Sequence, residues 1–223
     1  MLGDTVQHWS VVKVLRTGGG SRPRVEQVRL GDQLAVLKDH SGCDPLFAMI
    51  LGRTLARREC EALTRLVSVD GVPGLIERRG SRALLMEWMP AVPFKYVERD
   101  LQFWGRFFSE LEQRLASMHE RGVAHCDLRG MNNVLLDEQG QPCIVDFVAC
   151  FFDGPDWNLL WRAVFRRFCR ADRKALIKLK YQVAPDLLSE REKMNLGHSS
   201  RVDRCARQVG ILLRRLSRLL LTR

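Results

Sequence analysis

The 223-residue sequence predicts an α+β fold of two lobes, with an N-terminal lobe over residues 1–90 and a mostly helical lobe over residues 91–223. Two observations predict it. In the first lobe, short apolar runs alternate with turn residues, which is typical of an antiparallel sheet. After Pro90 the apolar residues recur every three or four positions, which is typical of helices that face a core. The change of period places the lobe boundary near Pro90.

The N-terminal lobe is predicted to contain a five-stranded sheet and one helix. The predicted strands cover residues 9–16, 24–30, 33–38, 75–79 and 82–88. The helix is predicted over residues 53–67, because Leu55, Leu63 and Leu66 fall near one face. Its polar positions include Arg57, Arg58 and Glu61.

The second lobe is predicted to be mostly helical. A stripe of large apolar residues with helical spacing comprises Leu101, Trp104, Phe107, Phe108, Leu111, Leu115 and Met118. Two short strands are predicted near residues 134–136 and 144–145. The aromatic residues Trp157, Trp161, Phe165 and Phe168 also have helical spacing, which favours a place in the core over a ligand stack.

Composition narrows the class of protein. The net charge of +10 indicates an anionic partner, which could be a nucleotide, a nucleic acid or an acidic membrane face. The seven cysteines are odd in number and include no C-x-x-C pair, which argues against a disulfide framework and against a zinc site. No segment approaches the ~20 apolar residues of a spanning helix, and no basic stretch leads into an apolar run. We therefore expect a cytoplasmic protein with reduced thiols.

The most specific motif lies in residues 125–147. Asp127 is followed five residues later by Asn132, and nineteen residues later by Asp146 at the end of an apolar strand. Phosphoryl transfer accounts for this spacing, because one carboxylate can orient an attacking hydroxyl while the asparagine and the other carboxylate hold Mg²⁺. Taken alone, each acid would be an ordinary turn or strand-end residue, but the joint spacing favours the chemical interpretation.

These residues resemble two motifs of the protein-kinase superfamily, the catalytic loop H-R-D-L-x-x-x-N and the metal motif D-F-G. The positions that match in register are His125, Asp127, Leu128, Asn132, Asp146 and Phe147. Val148 stands where the metal motif has glycine. The short chain after Asp146 is more similar to atypical members, namely RIO-type kinases and the bacterial lipopolysaccharide core sugar kinases.

The resemblance implies a two-lobed protein-kinase-like fold with a minimal helical C-lobe, which binds ATP and Mg²⁺ as cofactors. It implies that Asp127 is the catalytic carboxylate and that Asn132 and Asp146 hold the metal. His125 is expected to be structural. Arg129 takes the place of the lysine that approaches the γ-phosphate in serine/threonine kinases, where it could stabilise transferred charge or pair with a structural acid.

The same resemblance assigns nucleotide-binding residues upstream. Lys38 ends a predicted strand, where the family's V-A-I-K strand has the lysine that contacts the α- and β-phosphates. Glu59 is its expected partner, preferred to Glu61 because Leu63 lies four residues on and puts Glu59 beside the buried stripe. An edge-strand lysine and a solvated helix glutamate are the structural alternatives.

Residues 18–25 stand where a kinase has the glycine-rich loop G-x-G-x-x-G-x-V. Gly18, Gly20 and Val25 match, whereas Pro23 replaces the third glycine. Because proline has no N–H to offer a phosphate oxygen, we expect a stiffer loop with a less complete phosphate contact. A hairpin turn would use similar glycines.

Two further predictions come from position in the chain. Residues 84–90 fall where a kinase hinge meets adenine, so the backbones of Glu87 and Met89 are the expected contacts. Residues 201–223 carry seven arginines and one acid, with leucines and valines on one side of a helical wheel. This segment is interpreted either as a helix packed on the lobe or as an interfacial helix that contacts anionic membrane at the inner face.

The combined expectation is an ATP-dependent phosphotransferase that moves a γ-phosphoryl group to a hydroxyl acceptor. A lipopolysaccharide core sugar is the favoured acceptor, from the resemblance and the basic C-terminal segment. The alternatives are a RIO-like protein serine/threonine kinase and a pseudokinase that binds nucleotide without turnover, which Pro23 and Val148 leave open. No recognised nucleic-acid-binding module occurs, so we expect no specific nucleic-acid partner.

Overall fold

The computed structural model describes residues 9–94, 97–129 and 132–197. The architecture is α+β. By the density of contacts, the chain divides into two compact units: Met1–Val67 with Val72–Pro90, and Ser68–Gly71 with Ala91–Arg223.

The first unit is built on a five-stranded antiparallel sheet with the strand order β1-β2-β3-β5-β4. Its elements are β1 (Trp9–Gly19), β2 (Arg22–Leu30), β3 (Gln33–Asp39), α1 (Pro45–Phe47), α2 (Arg53–Arg65), β4 (Leu75–Arg79) and β5 (Ala83–Glu87). A π-helical segment, Ala48–Gly52, joins α1 to α2. All five predicted strands are present, and β1 extends beyond residue 16 because Gly19 still pairs with Arg22.

One face of this sheet and one face of α2 are buried. Val28, Ala35, Leu37 and Leu85 form an apolar cluster on the sheet. The residues that α2 buries are Ala56, Glu59, Cys60, Ala62 and Leu63. A glutamate in the middle of this apolar face is the exception that bears on function.

The second unit contains two small sheets and three helices within its described residues. Its elements are β6 (Ala91–Pro93), α3 (Leu101–Glu120), β7 (Val123–Ala124), β8 (Val134–Asp137), β9 (Pro142–Ile144), β10 (Phe151–Phe152), α4 (Leu159–Val183) and α5 (Glu190–Gly197). β6, β8 and β9 pair in that order, and β10 pairs with β7. Residues Ser68–Gly71 join this unit, where Ile144 N donates to Gly71 O at 2.7 Å.

The predicted apolar stripe forms the buried face of α3. The helix begins after Asp100, whose side chain accepts a hydrogen bond from Phe103 N at 2.7 Å. Its buried residues are Trp104, Phe107, Phe108, Leu111, Leu115 and Met118. Phe94, which is fully buried, packs edge-on against Trp104. The core prediction for this segment is confirmed for these six residues and wrong for Leu101, which is 47% exposed at the start of the helix.

The prediction that the later aromatic series lies in the core is wrong for its first two members, since Trp161 is 43% exposed. Trp157 lies before α4 and is 81% exposed. Trp161 and Phe168 contact Phe151 at ring distances of 4.9 and 4.6 Å. Helical spacing alone does not show where a helix begins. The pattern therefore included Trp157, although α4 begins two residues later, at Leu159.

Among the described residues, no helix is both long and apolar enough to span a membrane. The prediction for residues 201–223 lies outside the described residues.

Candidate active site

In the first unit, β3 and α2 bring together the two charged residues that the motif comparison selected. Lys38 lies on β3 opposite Val25 of β2 and Leu84 of β5, and it is 5% exposed. Its Nζ lies 2.8 Å from Oε1 of Glu59, which is 1% exposed. Glu61 instead forms an ion pair with Arg65 one turn along α2. Glu59 is therefore the residue that contacts Lys38.

This ion pair is buried, and burial makes it costly. Removing two charges from water carries a desolvation penalty that their mutual attraction offsets only when the geometry is good. Apolar residues of similar volume would stabilise the same space at least as well. The pair is therefore weak evidence for a gain in stability.

The turn between β1 and β2 requires its glycines. Gly18 has φ of +81°, and a Cβ there would lie 3.1 Å from Arg24 N. Gly20 also has positive φ, at +57°, and its carbonyl accepts from Asp44 N at 2.8 Å. Pro23 is buried on β2. The segment predicted to contact phosphate thus joins β1 to β2, and Pro23 lies on the second of these strands.

The structure limits what Glu87 can offer a nucleotide. Glu87 ends β5, and its N–H donates to the carbonyl of Gly74 at 2.8 Å. Its carboxylate accepts from Gly74 N at 3.1 Å. The N–H of Glu87 is thus already used, and Met89 lies two residues beyond the strand end.

In the second unit, Asp172 of α4 holds the loop that carries Asp127. The Asp172 carboxylate is 1% exposed and accepts from His125 N at 2.7 Å and Cys126 N at 2.8 Å. It also lies 3.2 Å from His119 Nε2 at the end of α3. Cys126 has φ of 67°, a left-handed conformation that costs free energy in a residue other than glycine. The two N–H contacts hold the loop in this conformation.

Sequence reasoning missed Asp172. A usable indication was present, because Asp172 is the single acidic residue of the otherwise basic α4 and lies on its buried face. The loop that it contacts is 46 and 47 residues away along the chain, so no local motif includes it.

His125 is buried and joins the loop to the strand that precedes Asp146. Asp127 N donates to its Nδ1 at 3.3 Å, and its Nε2 donates to Val145 O at 3.1 Å. Burial is the largest effect on this imidazole and lowers its pKa. This neutral, doubly bonded histidine fits the structural role predicted for it. Asp146 follows Val145 directly with φ of 68°.

The Asp127 carboxyl is subject to opposing influences. Burial raises its pKa, and the charge of Asp146 raises it further. His125, a hydrogen bond from Asn133 and the charge of Arg129 act in the other direction, but the net shift is upward. The two predicted carboxylates are therefore close enough to interact, and Arg129 contributes positive charge near Asp127.

Asn133, which the motif comparison did not select, is the asparagine that contacts Asp127. Its Nδ2 donates to Asp127 O at 2.8 Å and lies 3.3 Å from Oδ2. The neighbouring Asn132 is exposed. Two consecutive asparagines cannot be told apart by residue type, so counting five residues from Asp127 selected Asn132 alone.

The donor set in this unit fits Mg²⁺ that is bound together with a nucleotide. Asp127, Asp146 and the asparagines offer the hard oxygen ligands that Mg²⁺ prefers. Among the described residues, no group of three or more His, Cys, Asp or Glu could hold a metal ion. Mg²⁺ commonly uses one or two carboxylates and completes its coordination with water and substrate phosphates. These residues fit that pattern better than a closed, all-protein metal site.

Comparison with known proteins adds no assignment, since no family model matches the chain and no curated protein matches it. The resemblance described above rests on the residues themselves.

Proposed function

We propose that the protein is an ATP-dependent phosphotransferase of protein-kinase-like fold, which moves the γ-phosphoryl group of ATP to a hydroxyl acceptor. The observation that carries the proposal is the buried ion pair between Lys38 and Glu59 at 2.8 Å. Both residues follow from the motif comparison, and a buried pair of this kind is hard to explain by stability.

In this proposal the first unit binds the nucleotide. Glu59 holds the ammonium group of Lys38 in place for the α- and β-phosphates. The glycine turn at Gly18 and Gly20 brings backbone close to the phosphates without a side chain in the way. The carbonyl of Glu87 and the backbone of Met89 contact the adenine.

The second unit carries out the transfer. Asp127 accepts the hydrogen bond of the acceptor hydroxyl and orients it for attack. Asp146 and an asparagine of the pair Asn132 and Asn133 hold Mg²⁺, which supplies neutralisation of charge on the phosphates. Arg129 adds positive charge beside Asp127. Little covalent chemistry is asked of the protein, so positioning and electrostatics account for catalysis.

The proposed acceptor is a lipopolysaccharide core sugar, reached from the cytoplasmic side of the membrane with peripheral contact through residues 201–223. The family resemblance and the net charge of +10 support this choice. A protein serine/threonine kinase is the second candidate of the same chemistry. The buried ion pair, retained together with Asp127 and Asp146, favours an active enzyme over a pseudokinase.

The test is incubation of the purified full chain with γ-labelled ATP, Mg²⁺ and separate cell-envelope and soluble-protein fractions. We expect label in the envelope fraction with the wild type and almost none with Asp127→Asn. Label in soluble proteins would instead establish the protein kinase. Nucleotide binding without transfer to any fraction, and without hydrolysis, would refute the phosphotransferase and leave the pseudokinase.

A further inference from the structure

An open cavity of about 710 Å³ lies between helices α3 and α4 of the second unit. This volume is in the range of small-molecule sites. None of Lys38, Glu59, Asp127, Asn132, Asn133 and Asp146 lines it. Its apolar wall includes Ala116 of α3 together with Ala163 and Phe165 of α4.

Three arginines of α4 line this cavity: Arg166, Arg170 and Arg173. Their spacing of four and three residues places them on one face of the helix. Within the described part of the chain, the side chain of none of the three forms an ion pair or a hydrogen bond. Like charges at this spacing repel one another, and Glu120 is the single acid among the lining residues. An anion in the cavity would remove this repulsion.

His119 of α3 forms part of the wall of the same cavity. Its side chain is 7% exposed. Nε2 contacts Asp172, whereas the buried Nδ1 has no hydrogen-bond partner among the residues that the structure describes.

Cys169 forms part of the wall of the cavity, but its thiol is neither a ligand for the phosphate nor a nucleophile. Burial, followed by the charge of Asp172, raises the pKa of its thiol to about 11. A protonated thiol is a small apolar group in this setting.

We propose that this cavity is a second binding site, which takes a phosphate-bearing ligand. The phosphate oxygens bind the guanidinium groups of Arg166, Arg170 and Arg173, whose planar donor sets match phosphate geometry. His119 lies in the wall beside them and keeps the contact of its Nε2 with Asp172. The rest of the ligand packs against the apolar wall. The inference does not depend on the phosphotransferase proposal.

The site has a direct connection to the loop that carries Asp127. His119 contacts Asp172, and Asp172 accepts the N–H groups of His125 and Cys126. A ligand that fixes His119 therefore also fixes the carboxylate that holds the loop. Any effect of this ligand on the loop must be matched by an equal effect of loop ligands on its affinity.

The test is titration of the full chain with inorganic phosphate by calorimetry, at constant ionic strength maintained with chloride. We expect one site in the wild type, and affinity roughly tenfold lower in Arg166→Gln and in Arg170→Gln, because each removes charged hydrogen bonds. Lys178→Gln is the matched control, since it removes the same charge from an exposed position of α4 outside the cavity. Both arginines are exposed, so the variants should keep the wild-type melting temperature.

A second arm separates a free phosphate from a lipid headgroup. Co-sedimentation with phosphatidylcholine vesicles is compared with and without phosphatidic acid, using the same three variants. The site is supported if either probe binds less tightly to the arginine variants and equally well to Lys178→Gln. The probe that behaves in this way identifies the source of the phosphate. The proposal is overturned if neither probe binds, or if the arginine substitutions leave binding unchanged.

The connection to the loop is tested by hydrogen exchange. Saturating phosphate should slow exchange of the His125 and Cys126 amides in the wild type and have no effect in Arg170→Gln. Equal exchange rates with and without phosphate in the wild type would show that the site and the loop are not coupled.

Discussion

The chemistry of Asp127 depends on groups that contact its carboxyl or act on it through charge. Burial and the charge of Asp146 raise its pKa, whereas His125, Asn133 and Arg129 lower it. A carboxylate with a raised pKa accepts a proton more readily. This suits a group that would orient the attacking hydroxyl and then take its proton. This balance makes Asp127 the residue at which substitution should separate chemistry from folding.

Asp127→Asn should remove most turnover and leave the fold intact. The amide keeps the shape of the side chain but loses the charge that orients the hydroxyl, so kcat should fall roughly a hundredfold or more. The melting temperature and the affinity for ATP should stay near those of the wild type. Steady-state kinetics and thermal melts of the same preparation check both statements. A folded variant with near-normal kcat would remove Asp127 from the mechanism.

Asn133→Ala should shift the pH dependence of the reaction. The hydrogen bond from Asn133 favours the ionised form of Asp127 and lowers its pKa. Without it the pKa rises, so the acidic limb of kcat/KM should move to higher pH. Asn132→Ala, a change of the same kind one residue earlier, should leave that limb in place. If the acidic limb moves in Asn132→Ala and stays fixed in Asn133→Ala, the hydrogen bond to Asp127 comes from Asn132 and the assignment to Asn133 is wrong.

At the scale of elements, α4 positions the loop between β7 and β8. Asp172 is its buried acid, and its contacts cross from α4 to the loop and to the end of α3. A buried carboxylate is tolerated here because it accepts several hydrogen bonds, two of them from backbone N–H groups. The helix therefore acts as the support for a loop that contains a left-handed cysteine.

Asp172→Ala should destabilise the protein by on the order of 3 kcal/mol, because it leaves two buried N–H groups without an acceptor. The loop should also lose its conformation, seen as faster hydrogen exchange at residues 125–129. Adding Cys126→Gly should recover part of the loss, since glycine adopts positive φ without strain. If Asp172→Ala were as stable as the wild type, the anchoring role would be wrong. No recovery by Cys126→Gly would show that backbone strain contributes little.

At the scale of the whole molecule, each unit has its own core, and the proposed function draws residues from both. The first unit supplies Lys38 and Glu59, and the second supplies Asp127 and Asp146. A nucleotide that binds the native state should stabilise it against unfolding by mass action.

Mg²⁺-ATP should raise the melting temperature of the wild type, corresponding to about 2.7 kcal/mol at a hundred times its Kd. Asp146→Ala should reduce this shift and remove its dependence on Mg²⁺. Lys38→Met combined with Glu59→Gln should reduce it too, and the pair is changed together so that no single charge is left buried. Differential scanning fluorimetry with and without Mg²⁺ measures the effect, with Arg57→Gln and Lys178→Gln as surface controls.

That experiment tests the contribution of each unit to nucleotide binding separately. If Asp146→Ala keeps the full, Mg²⁺-dependent shift, Asp146 is a structural acid at a strand end, and nucleotide binding needs the first unit alone. If the Lys38 and Glu59 substitutions keep it, the ion pair has no part in binding the nucleotide.

Local patterns of the sequence determined the α+β class, the five strands of the first unit and the buried face of α3. They did so because strand and helix periods are set by the backbone and can be counted along the chain. The choice of Glu59 over Glu61 also followed from helical period, since Leu63 one turn later marks the buried face.

Only the tertiary structure decided which distant groups meet. The contact of Asp172 with the loop spans 46 and 47 residues, and the contact of Asn133 depends on the path of the chain after Asp127. The cavity beside Arg170 likewise exists only because α4 packs on α3. Period and spacing describe one element at a time, whereas these features depend on how two elements pack, which is set by side-chain contacts between segments far apart in the sequence.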